Sequence, residues 1–129
     1  MVNVFSLALD GNKPVSLHFR VREFRCHDGT DTILIHPCLV AVLESIRLHF
    51  GKPVIITSGY RTEAWNARKN GAQHSQHCRG YAADIQVKGV APSDVADFAR
   101  NIMPDFGGVG RYKTFTHIDV RARPANWNK

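Results

Sequence analysis

Between Pro37 and Phe50 the apolar residues Leu39, Val40, Val42, Leu43, Ile46, Leu48 and Phe50 recur at near-helical spacing, and Gly51 and Pro53 stop the run. The residues that follow, Val54-Ile55-Ile56-Thr57, are β-branched and read as a buried strand. A capped helix followed at once by a buried strand commits the chain to a mixed architecture. With 129 residues, the simplest organisation is one domain spanning 1–129, long enough to bury a core.

The rest of the chain extends this pattern. Asp10 to Pro14 and Asp28 to Asp31 carry turn chemistry, and Val21 to Phe24 suits a short helical turn. Ser58 to Arg61 turns into a second helix near Glu63–Lys69, which ends at Asn70-Gly71, a pair suited to a left-handed cap. Tyr81–Val87 reads as a strand. Ser93–Met103 reads as an amphipathic helix between Pro92 and Pro104. Gly107–Tyr112 and Phe115–Arg121 read as the last two strands. The expected class is α+β, a single domain with an antiparallel sheet flanked by about three helices.

A formal charge of +6 favours anionic partners, among them nucleic acid, acidic lipid and anionic wall polymers. The basic residues are scattered, and no aromatic-basic ladder or known nucleic-acid motif accompanies them, so nucleic acid is not expected as a partner. No apolar run approaches the ~20 residues needed to span a bilayer. Met1 to Gly11 has no basic cluster and only a short apolar stretch cut by Asn3 and Ser6. No signal peptide is therefore expected, and synthesis in the cytoplasm is. Cys26, Cys38 and Cys78 are an odd number, which suits free thiols better than a disulfide framework. Cys26-His27-Asp28 with His36-Pro37-Cys38 matches no standard zinc spacing.

The chemistry concentrates in two stretches, Ser75-Gln76-His77-Cys78-Arg79-Gly80-Tyr81-Ala82-Ala83-Asp84 and His117-Ile118-Asp119. In an extended strand His117 and Asp119 point to the same face. If that face meets His77 and Asp84, two imidazoles and a carboxylate converge. Three protein ligands with a fourth position open is the arrangement of a catalytic zinc site, where water is acidified towards ~7. The same spacing also suits a loop histidine hydrogen-bonded to a strand aspartate, with no metal. His18, His27, His36 and His49 have no matching partner and read as surface or helix-end residues, while His74 lies close enough to His77 to support it.

Ser75-x-His77-x-x-Gly80-x-Ala82-x-Asp84 resembles the metal-binding signature of the zinc D-Ala-D-Ala carboxypeptidase family of peptidoglycan peptidases, which shares its fold with the amino-terminal domain of Hedgehog proteins. Ser58-Gly59-Tyr60-Arg61-Thr62 with Asn66 resembles the family's arginine turn. Gly107 to Tyr112, Phe115 to Arg121 and Trp127 resemble its carboxy-terminal block, and Glu23 to Gly29 resembles the leader of small phage and prophage members. The resemblance implies one zinc ion per chain on His77, Asp84 and His117. It implies that Arg61 polarises the scissile carbonyl and binds substrate, and that Ser75 either contacts substrate near the metal or shapes the loop. Many relatives carry an acidic residue three positions before the last histidine; here that position is Thr114. Asp119 is the nearest substitute, either as general base or as a carboxylate that orients an imidazole. The implied activity is hydrolysis of peptidoglycan stem peptides by a monomer, as a D-Ala-D-Ala carboxypeptidase or an endolysin-type endopeptidase. It would reach the cell wall after phage-type release. The alternative is a non-catalytic zinc-binding domain with a binding or phage structural role.

Overall fold

The computed structural model describes residues 1–129. Strand β1 (Asn3–Ser6) leads directly into a one-turn helix α1 (Leu7–Asp10), and a 3₁₀ turn follows at Val21–Phe24. Strand β2 (Thr32–Ile35) pairs antiparallel with β1 to form a separate two-stranded sheet. Helix α2 (Pro37–Phe50), strand β3 (Val54–Ser58), helix α3 (Glu63–Arg68) and a second 3₁₀ turn at Gln76–Arg79 come next. The chain ends with β4 (Ala82–Val87), α4 (Pro92–Ile102), β5 (Gly108–Arg111), β6 (Thr116–Asp119) and β7 (Ala125–Asn128). The main sheet has the order β3-β4-β6-β5-β7. Its pairings are antiparallel except the last, where β7 runs parallel to β5.

This is the expected α+β class with a mostly antiparallel sheet. The differences lie in short elements. β1 and α1 are only four residues each, and β7 is the tetrapeptide Ala-Asn-Trp-Asn, which has no β-branched residue. Its pairing comes from partners distant in sequence. The Arg100 guanidinium donates to the carbonyls of Gly107 and Ala125 and to Asn126 Oδ1, tying α4 to the start of β7.

Local chemistry explains the boundaries of the longer elements. His36 Nδ1 caps α2 by accepting from the Cys38 N–H, and Pro37 occupies the first turn, where no donor is needed. Gly51 closes the helix at φ 64, a left-handed position that glycine takes without strain. After α3 the left-handed residue is Asn70 (φ 56) rather than Gly71. Gly71 is required for another reason: a Cβ there would lie 1.9 Å from Asn66 Oδ1.

The two faces of the main sheet divide the labour. Ala83, Ile85 and Val87 from β4, Val109 from β5 and Ile118 from β6 join α2 (Leu39, Leu43, Ile46) and α4 (Val95, Ala96, Ala99) in a core cluster of 21 buried residues. Each fully buried Leu or Ile there contributes about 1.5–3 kcal/mol. The alternate residues of β4 and β6 point to the other face, and there they are Asp84, His117 and Asp119. No helix is long and apolar enough to cross a membrane.

Candidate metal centre

A single row of residues crosses the five strands on this second face. Register places Ser58 opposite Asp84, Asp84 opposite His117, His117 opposite Gly110, and Gly110 opposite Trp127. Ser58 joins the row because β3 is irregular between Ile56 and Ser58: two steps on β3 match one on β4. Val54 and Ile56 face the core opposite Val87 and Ile85, and the extra residue Thr57 turns Ser58 to the other face.

His77 reaches this row from the 3₁₀ turn before β4. Ser75 Oγ caps that turn by accepting from the His77 N–H at 3.2 Å, and Gly80 ends it at φ 76. A Cβ at Gly80 would lie 2.6 Å from the Leu34 carbonyl, so the turn presses against β2. The backbone N–H of Arg61 donates to the His77 carbonyl, which joins the arginine turn to the histidine turn.

His77, Asp84 and His117 are all buried, and their ligand atoms lie within 4.8 Å of one another. Asp84 Oδ1 is 3.3 Å from His77 Nε2 and 3.0 Å from His117 Nδ1. The outer ring nitrogens determine what the inner ones offer. His77 Nδ1 is 2.8 Å from the Gly59 carbonyl, which only accepts, so Nδ1 carries the hydrogen. His117 Nε2 is 2.8 Å from Asp119 Oδ2 and donates to it. In the neutral rings, His77 Nε2 and His117 Nδ1 therefore present lone pairs towards the Asp84 carboxylate. Three acceptors turned on one point require a positive charge between them, a proton or a metal ion, and two imidazole nitrogens with one carboxylate form a donor set that suits zinc.

The electrostatics agree. Burial disfavours ionised Asp84, but its interactions with His117 and His77 outweigh it and hold the carboxyl well below the usual range. Burial likewise disfavours a charged His117, yet Asp119 and Asp84 raise its pKa above the ordinary value. The two carboxylates favour positive charge at His117.

Arg61 lies at the β3 edge of the row. Its Nε donates to Ser58 Oγ at 2.9 Å, one terminal nitrogen to Asn66 Oδ1 at 3.2 Å, and the other to Asp84 Oδ2 at 3.3 Å. Asn66 is itself buried, with its amide donating to the Ala72 carbonyl.

Asp119 lies across the His117 ring from Asp84 and is fully buried. Its carboxylate accepts from His117 Nε2, from the Gly108 N–H, and from the Arg121 backbone N–H and guanidinium. Burial alone would raise its pKa; the bonds from His117 and Arg121 prevail and hold it well below the usual carboxylate range. Thr114 is exposed in the turn before β6, with its carbonyl accepting from Gln86. His74 is exposed and lines a cavity of about 400 Å³ with Glu63, Asn66 and Cys78. His18 is not a bare surface residue, because its Nδ1 lies 2.8 Å from Glu44. Arg121 was legible only as part of a motif; its place two residues after Asp119 was the local signal for their pairing.

Comparison with known proteins gives the chain's relatives. Residues 17–119 match the family model described as Peptidase M15. Over 76 residues the chain is 40% identical to the peptidoglycan L,D-endopeptidase MepK of Escherichia coli (strain K12), an alignment covering 54% of this chain and 41% of that protein. The protein of the same name from Shigella flexneri matches equally. The aligned stretch thus spans about two fifths of the length of these curated relatives. No solved structure matches the chain. With the family match running from before the first 3₁₀ turn to the end of β6, and so over most of the sequence, the chain belongs to the Peptidase M15 family.

Proposed function

We propose that this chain is a zinc-dependent peptidase of bacterial peptidoglycan, holding one zinc ion on His77, Asp84 and His117. The observation that carries the reading is the pair of tautomer-fixed imidazoles turned on one carboxylate oxygen, beside an arginine anchored through all three of its nitrogens. When bound, zinc supplies Lewis acidity and a water nucleophile active near neutral pH.

The chain's own residues position and stabilise. Arg61 is held by Ser58 and Asn66, so its guanidinium is fixed where negative charge develops on the scissile carbonyl. Asp119 orients His117 and keeps the hydrogen on Nε2; its bonds to Gly108 and Arg121 leave no free lone pair for taking a proton from water. Ser75 shapes the turn that presents His77. The net charge of +6 favours approach to anionic wall polymers. Between the two peptidase types, the similarity to a peptidoglycan L,D-endopeptidase favours an endopeptidase.

Purified peptidoglycan, incubated with the protein with and without a chelator and resolved by mass spectrometry, tests the reading. Wild type releases stem-peptide fragments, chelation stops the release, and added zinc restores it. His77→Ala removes both zinc binding and release. Chelator-insensitive cleavage would overturn the mechanism. A second reading, a non-catalytic zinc domain, is favoured by two observations: Thr114 is exposed and carries no acid, and Asp119 is sealed behind His117. One zinc per chain with no peptide released from any peptidoglycan supports that reading instead.

A further inference from the structure

Trp127 lies in β7, after residues 17–119, and packs against the candidate metal ligand His117. Its ring centroid is 5.0 Å from that of His117, the two rings tilted at 50°. Strands lie about 4.8 Å apart, so β7 is about 10 Å from β6, and side chains in register across β5 would not normally meet. The indole reaches His117 because β5 presents Gly110 between them. A Cβ at Gly110 would lie 2.6 Å from the indole, so the ring packs closely over the bare backbone there. The indole N–H donates to the Tyr112 hydroxyl at 3.1 Å, Tyr112 stacks on Phe115 at 4.3 Å, and the Arg121 guanidinium stands 5.3 Å from the indole. Trp127 is nonetheless only half-buried.

A tryptophan fixed by a hydrogen bond, a cation and a glycine floor, and left partly open beside a candidate metal ligand, is built for more than packing. We propose that Trp127, with Tyr112 behind it, is a substrate-contacting wall of the metal cleft and a specificity-determining residue. It stands at the opposite end of the row from Arg61. It takes the small apolar side chain of a stem-peptide residue, such as an alanine methyl, against the indole, while Arg61 engages the carbonyl. Aromatic surface suits this because it offers rigid apolar area at low entropic cost. The inference rests on the peptidoglycan peptidase reading above and adds the residue that selects the peptide.

Trp65 is the second of the two tryptophans, so Trp65→Phe leaves Trp127 as the single fluorophore. Zinc-loaded Trp65→Phe protein titrated with a synthetic alanine-containing stem peptide shows a saturable change in Trp127 emission. Adding Gly110→Ala, which displaces the indole, weakens peptide binding about tenfold while zinc content stays at one per chain. Trp127→Phe in the otherwise unchanged protein raises KM by a similar factor and leaves kcat within about threefold. A purely structural Trp127 gives the opposite pattern: lower thermal stability or zinc content, with KM unchanged. If the peptide is cleaved but Trp127 emission does not respond and KM does not move, the wall is refuted and the peptidase reading stands. If the peptide is neither bound nor cleaved by zinc-loaded wild type, both fall.

Discussion

Asp119 looks like an available base in the sequence and like an occupied acceptor in three dimensions. Its partners, the Gly108 N–H and the Arg121 guanidinium, take up both oxygens, and His117 stands between it and Asp84. Asp119→Asn should therefore act through His117. Zinc affinity is expected to fall about 10–100-fold, the usual cost of losing a partner that orients a ligand. At saturating zinc, kcat should recover to within about tenfold of wild type. A base would instead leave a deficit of about 10²–10⁴ that zinc cannot repair, so kcat measured against zinc concentration separates the roles. The two-residue spacing of His117 and Asp119 gave their shared face from sequence, because strand alternation is a local property. That both oxygens are occupied is only partly local, because Arg121 is two residues away but one donor is not. It depends on Gly108, eleven residues away, and no periodicity carries that information.

Elements whose own residues determine their conformation were legible. α2 runs from Pro37 to Phe50, as its periodicity and stop residues indicate. β7 was not, because Ala-Asn-Trp-Asn has no strand signature and is recruited by β5 and Arg100. The break in β3 at Thr57 was equally hidden, since a run of β-branched residues reads the same with or without it. The turn that carries His77 offers a test at this scale. Gly80 has φ 76, and an added Cβ would meet the Leu34 carbonyl at 2.6 Å. Gly80→Ala is expected to cost about 2 kcal/mol or more through strain and displacement. Because the movement pulls on His77, calorimetry and zinc titration should register the loss together. Lower stability with unchanged zinc affinity would mean that the turn does not set His77.

Across the whole molecule, the loop at 14–19 is pinned to α2 by one carboxylate. Glu44 accepts from Ser16 Oγ, from the His18 N–H, and lies 2.8 Å from His18 Nδ1. Burial pushes the Glu44 pKa up, but the bonds from Ser16 and His18 prevail and lower it below its ordinary 4.5. A lowered folded-state pKa means that the native state holds the proton less tightly than the unfolded chain. The stabilisation is fully present above about 4.5 and is lost as pH falls through the lower folded value. Glu44→Gln should reduce stability by about 2 kcal/mol near neutrality, and denaturant melts should show the gap from wild type closing below pH 4.5. A gap independent of pH would show that the carboxylate charge is not what holds the loop. The row from Ser58 to Trp127 has a consequence at this scale too. Side-chain direction alternates with every residue, so sliding β4 or β6 by a single position would turn Asp84 or His117 into the helix-covered core. Histidine or aspartate would then be forced among leucines. The buried polar pair thus acts as a checksum on the alignment of β4 with β6: Asp84 and His117 meet on one face only when those two strands are in register.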